Sequence, residues 1–328
     1  PSRFAGLVMA PQEPLLRRQA AGLDPQTDLL VVLSHNGLDE DRKLATALAG
    51  SGIDVIVGGH SHTRMRQPEL VGGILIVQAG SAMTNLGRLD LRVEDDRVVG
   101  YEGRLVSLWA DSLATGGDLK DLTALAAGYQ EQVQREYGRE LGKLAVDLRR
   151  GRGESELGDW LADVLREAAG ADVGLINSGG IRRDLPAGTL TRLHIHEVLP
   201  FANSLVTVAM TGRELAAFAD WNAAGQVGGD HGILQVSGLS YAIVTGEGNA
   251  PARAAEVTVG GRPLDLEGAY VVAMPDFVAM MAPVYLGRPN PPFTDLGQEL
   301  SAVAAAAIEK AGTVTAPVGG RIRGAPGR

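Results

Sequence analysis

Three short apolar runs, separated by glycines and by a helix-favouring stretch, constrain the fold of this chain more than any other feature. The runs cover residues 28–33, 53–57 and 74–77, and β-branched side chains are frequent in them. A strand covered on both faces appears as such a continuous apolar run. The sequence predicts a helix over 39–50, between the first two runs. This alternation predicts an α/β sheet with parallel strands.

The remaining sequence predicts a hairpin, a connecting helix and a second region of mixed structure. Alternating polar and apolar residues at 86–93 and 97–108 favour the hairpin, and the polar stretch 118–142 favours the connecting helix. Further helices are predicted at 154–169, after Thr211 (an N-cap with Glu214 three residues on), and at 296–311, ended by Gly312. Further strands are predicted at 173–176, 205–210, 234–245, 255–259 and 269–274.

The length of 328 residues favours two domains. We place the first at 1–110, a linker helix at 111–142 and the second at 143–328. A net charge of −9 argues against a nucleic-acid polymer as partner, and no apolar run is long enough for a membrane span. The chain has no cysteine, which excludes disulfides and thiolate chemistry. Because it begins at Pro1 without a methionine or signal segment, we expect a further segment upstream.

Three of the six histidines lie within five residues after two of the apolar runs. His35 follows 28–33, and His60 and His62 follow 53–57. Because the carboxyl ends of parallel strands meet at one sheet edge, we expect these imidazoles to lie together, with His60 and His62 pointing the same way from extended backbone. Imidazole binds divalent transition metals. The pattern predicts a metal site. The other three histidines, His194, His196 and His231, have no comparable setting and are expected to be structural.

A second group of candidate residues follows the predicted strand 173–176. Asn177 begins a turn containing Gly179 and Gly180, and Arg182 comes next. A Gly-Gly turn leaves amide groups free, and a guanidinium suits phosphate or ribose oxygens. Further along lie Phe201, Asn203 and Phe277, and the two phenylalanines are predicted to lie in loops. An exposed ring can stack on a nucleobase, which is worth roughly 1–3 kcal/mol.

Taken together, these motifs resemble the 5′-nucleotidases. Leu33-Ser-His-Asn-Gly, Gly-Gly-His-Ser-His-Thr at 58–63 and Val77-Gln-Ala-Gly resemble the closing half of their metallophosphoesterase domain. Residues 143–322 resemble their C-terminal domain, through 154–158, Pro200-Phe-Ala-Asn-Ser-Leu and Thr211-Gly-Arg-Glu-Leu. The implied fold class is α/β and α+β: the C-terminal part of a metallophosphoesterase α/β sandwich, joined by a linking helix to a complete nucleotide-binding domain.

The resemblance implies two divalent metal ions (Mn, Zn, Fe, Ni, Co or Mg). In that family His35 and His60 would bind one ion and His62 the other, and the ions would clamp a phosphate and activate water. The bridging carboxylate and the acid-catalyst His come from motifs that residues 1–34 lack, since these contain neither His nor Asn. We therefore expect the missing N-terminal half of the metal lobe, with the catalytic His, to lie upstream of Pro1, and this chain alone to be weak or inactive.

For the second domain, the resemblance implies that Phe201 and Phe277 sandwich the base, while Asn177, Arg182 and Asn203 contact base, ribose or phosphate. An arginine before Glu154, either Arg150 or Arg152, would be a further phosphate contact. The family usually has Gly-Gly-Asp-Gly-Tyr after the second aromatic, with its Asp on the ribose. Here the loop carries Met280 to Pro283 instead, which should weaken ribose recognition or narrow the pocket.

The expected function is hydrolysis of phosphate esters of nucleotides, as a 5′-nucleotidase or a nucleotide-sugar or dinucleotide hydrolase. The resemblance also implies export to a periplasm or cell surface, and closure of the two lobes about the linker, with the three histidines facing Phe201 and Phe277. Alternatives are a 2′,3′-cyclic-nucleotide phosphodiesterase, a thiosulfohydrolase, or a non-catalytic nucleotide-binding or cell-envelope subunit.

Overall fold

A computed structural model describes residues 10–108, 120–228, 232–246 and 250–324. The chain divides into two compact units, Pro1–Leu119 and Lys120–Arg328. The stretch predicted as a linker helix contains helix α3, Lys120–Tyr137, which belongs to the second unit. The part of that stretch before residue 120 lies outside the described residues, as does His231.

The first unit contains a small sheet whose carboxyl-terminal edge carries the candidate metal ligands. Its helices are α1 (Gln12–Leu23) and α2 (Leu38–Ala47). Its strands are β1 (Val31–Leu33), β2 (Val55–Val57), β3 (Glu69–Val71), β4 (Ile74–Val77), β5 (Asn85–Glu94) and β6 (Arg97–Ser107). The sheet order is β1-β2-β4-β3, in which β1, β2 and β4 are parallel. The parallel α/β pattern predicted from the apolar runs is confirmed.

Strands β5 and β6 form the predicted hairpin. They pair antiparallel from Asn85 with Ser107 to Glu94 with Arg97. The two turn residues, Asp95 and Asp96, have φ of 47° and 58°. Positive φ at both central positions is typical of the type I′ turn, whose twist matches that of the strands, and aspartate tolerates this conformation better than most residues.

The second unit is built around a five-stranded mixed sheet. Its further helices are α4 (Glu156–Ala169), α5 (Arg192–Val198), α6 (Gly212–Gly228), α7 (Asp276–Met280), α8 (Ala282–Tyr285) and α9 (Leu300–Ala311). Its strands are β7 (Glu140–Leu144), β8 (Val173–Asn177), β9 (Gly188–Thr191), β10 (Ser204–Thr211), β11 (Leu234–Ser237), β12 (Leu239–Val244), β13 (Arg253–Val259), β14 (Arg262–Pro263), β15 (Ala269–Pro275), β16 (Thr294–Glu299), β17 (Thr313–Val314) and β18 (Ile322–Arg323). The main sheet has the order β11-β8-β15-β10-β16, and smaller sheets run β14-β13-β12-β18 and β17-β7-β9.

Two apolar cores lie on opposite faces of the five-stranded sheet. On β8, Ile176 belongs to the core that contains α4 and α9, whereas Leu175 belongs to the core that contains α6. Ala273 and Met274 of β15 divide in the same way. Because successive side chains of a strand point to opposite faces, a strand between two helical layers must be apolar at every position. This explains why β8 appears in the sequence as a continuous apolar run.

Two sequence predictions for the second unit were wrong in part. The helix expected over 296–311 begins at Leu300, because Thr294–Glu299 is a strand that pairs with β10. The strand expected over 234–245 is broken at Gly238, whose φ is +71°. The predicted cap at Thr211 is confirmed. Its Oγ1 accepts from the Glu214 amide at 3.3 Å, and its amide donates to the Glu214 carboxylate at 2.8 Å.

Candidate functional sites

Two of the three candidate metal ligands lie side by side in the first unit. The rings of His35 and His60 meet edge-on, with their centroids 5.3 Å apart. Both imidazoles, and that of His62, are exposed to solvent. The prediction of extended backbone at His60 and His62 was wrong, because their φ angles are 69° and 57°. The loop after β2 therefore coils through the left-handed region, so the two side chains do not follow strand alternation.

The double glycine before His60 makes room for neighbouring groups. A Cβ on Gly59 would lie 2.9 Å from Nδ1 of His35, and one on Gly58 would overlap Oδ2 of Asp41. In the opposite direction, a Cβ on Gly37 would be 3.6 Å from Cδ2 of His60. The loops that follow β1 and β2 therefore interlock through glycines on both sides. A larger residue at position 58 or 59 would push them apart.

Asp41 of α2 lies fully buried beneath these loops. Its Oδ1 accepts a hydrogen bond from the Ser34 hydroxyl, and Ser34 directly precedes His35. Its Oδ2 is buried without a hydrogen-bond partner and faces Gly58. A buried carboxylate oxygen without a partner is costly, and here it occupies the space that a side chain at position 58 would fill.

The arrangement of His35 and His60 fits two ligands of a single ion. Two imidazoles on one tetrahedral metal, with metal–nitrogen bonds of about 2.0–2.1 Å, would have ring centres roughly 5 Å apart. The observed separation agrees with that distance. Among the described residues, no group of three or more His, Cys, Asp or Glu side chains is placed to hold a metal ion. The chain thus brings together an imidazole pair, and a complete centre would need further ligands.

In the second unit, the candidate phosphate ligand and the first candidate aromatic lie against each other. The guanidinium carbon of Arg182 is 5.8 Å from the centroid of the Phe201 ring, within the range of a cation–π contact. Nη1 of Arg182 donates to the carbonyl of Gly179 at 3.1 Å, which ties the side chain to the Gly-Gly turn after β8. The Phe201 ring is 48% exposed, so its free face is open to a ligand.

The second candidate aromatic is joined to the same turn through Tyr285. The rings of Phe277 and Tyr285 meet edge-on at 5.7 Å, and Phe277 is 38% exposed. Burial raises the pKa of the Tyr285 hydroxyl, and its hydrogen bond with the side chain of Asn177 opposes that rise. Asn177 is only 5% exposed, and it lies under Gly180, where an added Cβ would be 3.0 Å from its Oδ1.

A continuous set of contacts thus connects the two exposed phenylalanines. It runs from Phe201 to Arg182 and on through the turn at Gly179 and Gly180, and then through Asn177 and Tyr285 to Phe277. Asn203 directly precedes β10. Its amide donates to the Phe201 carbonyl at 2.8 Å, and its carbonyl accepts from the Leu300 amide at 3.0 Å. Arg182 also lines a cleft of about 450 Å³ together with Arg149, Arg150 and Arg183.

The loop that departs from the family pattern forms the two short helices α7 and α8. Pro283 lies in the first turn of α8, where a missing amide hydrogen costs nothing. The carbonyl of Val284 accepts from the indole nitrogen of Trp221 at 2.9 Å. Met280, Met281 and Val284 are all exposed. Residues 278–285 therefore present apolar side chains after Phe277 and contain no carboxylate.

A carboxylate cluster fixes the last strand to α4, away from the aromatic pair. The Glu154 carboxylate accepts from the amide of Arg321 at 2.7 Å and from that of Ile322 at 3.1 Å. The Arg321 guanidinium pairs with Asp163 at 2.7 Å. Burial raises the pKa of Asp159 to about 8, against the attraction of Arg321 and with added repulsion from Glu154.

The second His-x-His segment has a structural role. His194 lies in the first turn of α5, and its Nδ1 is 3.0 Å from the amide of the N-cap residue Thr191. The ring of His196 stacks at a tilt against Tyr137 of α3, with centroids 5.2 Å apart. The expectation that these two histidines are structural agrees with both contacts.

Comparison with known proteins places the chain in a family. The model of the 5′-nucleotidase C-terminal domain matches residues 140–285. A 5′-nucleotidase of Vibrio vulnificus is 30% identical over 298 residues, which cover 77% of this chain and 52% of the relative. The solved 5′-nucleotidase precursor of Thermus thermophilus superposes with a TM-score of 0.75 at 27% identity, covering 96% of this chain and 67% of that one. The chain belongs to the 5′-nucleotidase family.

Other relatives widen the range of reactions within this fold. An apyrase of Aedes aegypti is 29% identical over 301 residues, covering 80% of this chain and 53% of the apyrase. A sulfate thiohydrolase of Thermus thermophilus has a TM-score of 0.71 at 23% identity, which shows a shared fold. The chain spans about half the length of the Vibrio nucleotidase and the mosquito apyrase. The relatives named as nucleotidases and apyrases are nucleotide phosphoester hydrolases, so the family is one of enzymes.

Two residues of these sites were not singled out in the sequence. Tyr285 was not among the predicted site residues, although its hydroxyl and ring connect Asn177 to Phe277. Gln78 appeared only within a motif, although it is buried at the end of β4. Its position directly after an apolar run, like that of His35, was the signal that could have identified it.

Proposed function

We propose that the protein of which this chain is part hydrolyses phosphate esters of nucleotides with the help of divalent metal ions. The observation that supports this most directly is the connected set of contacts between Phe201 and Phe277 in the second unit. Along it, a guanidinium and a buried amide link two exposed rings. Such a combination suits a ligand that has both a flat base and an anionic group.

Each residue of this set has a distinct task in the proposal. Phe201 and Phe277 hold the base through their exposed faces. Arg182 contacts phosphate or ribose oxygens while its Nη1 stays bonded to the Gly179 carbonyl. Asn177 and Asn203 supply polar contacts to the same ligand. Pro283, within an apolar stretch, stands near the position of the family's ribose-binding Asp, so we propose weakened recognition of the ribose hydroxyls.

In the first unit, we propose that His35 and His60 hold one ion and that His62 contributes to a second. Ions at such positions would polarise a phosphoryl group and lower the pKa of an attacking water. The remaining ligands, including a bridging carboxylate, and the acid-catalyst His come from outside this sequence in the proposal. Accordingly, residues 1–328 alone bind metal weakly and turn over little or no substrate. The metal is Mn, Zn, Fe, Ni, Co or Mg.

Export to a periplasm or cell surface is part of the same proposal, since the resemblance to 5′-nucleotidases implies it. Within the described residues, no helix is both long and apolar enough to span a membrane. Fractionation of cells that express the native gene product tests this part directly. Recovery of the protein in the fraction that contains cytoplasmic enzymes would contradict it.

The function is tested by ligand binding and by turnover, measured separately. Isothermal titration of residues 1–328 with AMP, adenosine, 2′,3′-cyclic AMP and thiosulfate should show binding of the adenine compounds and none of thiosulfate. Release of phosphate from AMP in the presence of Mn²⁺ should stay near background for this chain. Binding of thiosulfate alone would favour the thiosulfohydrolase alternative, and binding of none of them would remove the nucleotide proposal.

A further inference from the structure

The loop that carries His60 and His62 is held from below by one buried side chain. Gln78 directly follows β4, the strand next to β2 in the sheet, and it is only 4% exposed. Its backbone carbonyl accepts from the Met65 amide at 3.1 Å, which anchors the residue at the far end of the same loop. The buried amide is therefore fixed relative to the sheet.

The side chain of Gln78 uses both of its functional groups on this loop. Nε2 donates to the carbonyl of Gly59 at 3.0 Å, next to His60. Oε1 accepts from the hydroxyl of Ser61 at 3.0 Å and from the amide of Thr63. These three contacts lie immediately before His60, between the two histidines, and immediately after His62. An amide is required here, because a carboxylate has no donor for the Gly59 carbonyl and an apolar side chain offers neither group.

Ser61 extends this network to the loop that carries His35. Its hydroxyl accepts a hydrogen bond from the Leu38 amide at 3.1 Å, at the start of α2. Leu38 follows the Gly37 that packs against the ring of His60. The three strand ends β1, β2 and β4 are thereby connected through one hydroxyl and one amide. The edge-on contact of His35 with His60 lies directly above this connection.

We propose that Gln78, acting through Ser61, is the positioning residue that sets the separation of the His35 and His60 imidazoles. The inference rests on the proposed metal site. Left-handed backbone at His60 and His62 is unfavourable for residues with a Cβ, so the loop needs external bonds to keep it. Substitutions of groups that orient metal ligands typically weaken metal affinity 10- to 100-fold.

The variants Gln78→Met and Ser61→Ala test this inference, with Gln235→Met as a matched control. Gln235 is also a buried glutamine with three hydrogen bonds, to Ser155, Gly153 and Ser178, but it lies in the second unit. Titration with Co²⁺ alone should show at least 10-fold weaker binding and an altered visible spectrum for Gln78→Met. Ser61→Ala should weaken binding less, and Gln235→Met should lower Tm without changing Co²⁺ affinity.

A metal-free measurement separates positioning from metal binding. Nuclear Overhauser contacts between the His35 and His60 rings should be present in the unsubstituted chain and in Gln235→Met, and lost in Gln78→Met. Retention of these contacts and of Co²⁺ affinity in a folded Gln78→Met variant overturns the inference. If the His35→Ala variant binds Co²⁺ as tightly as the unsubstituted chain, the metal proposal fails. The contacts between the two rings then decide alone whether Gln78 positions the pair.

Discussion

Gly59 and His35 occupy adjoining space so closely that an added Cβ at position 59 would lie 2.9 Å from Nδ1 of the imidazole. Real Cβ atoms essentially never come so close to a neighbouring atom, so one of the two loops would have to move. The imidazole is also the group that we propose as a metal ligand. The relationship makes position 59 a sensitive test of the candidate metal site.

The Gly59→Ala variant should displace the His35 ring and weaken Co²⁺ binding by about 10-fold or more, as expected when a ligand loses its orientation. Titration calorimetry measures the change. Gly22→Ala is the control, because an added Cβ there meets nothing within 4 Å. That change lies in helix α1, where alanine is favoured over glycine by roughly 0.5–1 kcal/mol. Equal Co²⁺ affinity in both variants would remove His35 from the candidate site.

Truncation of the exposed phenylalanines should weaken the binding of adenine nucleotides. Phe201→Ala and Phe277→Ala should each cost about 1–3 kcal/mol of AMP binding, the usual worth of an aromatic stacked on a base. Fluorescence or calorimetric titration provides the measurement. Tyr101→Ala is the control, since Tyr101 is similarly exposed at 46% but lies in the hairpin of the first unit. Unchanged AMP affinity in both phenylalanine variants would contradict the stacking proposal.

Substitution of Arg182 should separate phosphate recognition from base recognition. Arg182→Gln should reduce AMP affinity by about 10-fold or more, because a hydrogen bond to a charged group is worth about 1.5–3 kcal/mol. Adenosine affinity should change little. Arg213→Gln is the control, since Arg213 is an exposed arginine paired with Glu267. A parallel loss of AMP and adenosine affinity would show that Arg182 supports the Phe201 ring and does not contact phosphate.

The pH dependence of stability should report the buried carboxyl of Asp159. Its pKa in the folded state is about 8, against an ordinary value of 3.8, chiefly because of burial. Between these values the folded state binds more protons than the unfolded state, so the free energy of unfolding falls as pH rises, by at most about 1.4 kcal/mol per pH unit. The contribution of protonated Asp159 to the free energy of unfolding is complete below about pH 4 and is lost as the pH approaches about 8.

Asp159→Asn should flatten this dependence, since an amide does not titrate in that range. Urea denaturation at pH 5, 6, 7 and 8 should show the variant gaining stability relative to the unsubstituted chain as pH rises. Asp295→Asn, at an exposed carboxylate, controls for the loss of one charge. A constant difference between the Asp159 variant and the unsubstituted chain at all four pH values would show that Asp159 is ionised throughout.

Local sequence patterns predicted the elements whose environment is uniform along their length. Ile74–Val77 is buried or half-buried throughout, and its strand was predicted with its observed limits. The hairpin β5–β6 was predicted because its alternation reflects one exposed and one covered face. The short strands β3, β7 and β9 were missed, since each has only three to five residues and its pairing is decided by distant partners.

The candidate sites were predictable only as far as residue type and strand ends reveal them. The proximity of His35 and His60 followed from parallel topology, but the left-handed backbone at His60 and His62 did not. The residues around the two histidines bond to Gln78, which follows a different strand. Tyr285 was missed for a similar reason, because its hydrogen bond to Asn177 joins positions more than 100 residues apart in sequence.

Asn177 contacts Tyr285 on one side and the Gly179–Gly180 turn on the other, so it connects the surroundings of Phe277 with those of Arg182. A substitution at Phe277 should therefore also shift Arg182, the residue proposed to contact phosphate. Engineering of this protein toward another nucleobase should accordingly treat residues 177, 182 and 285 as a single unit, varied together in one library.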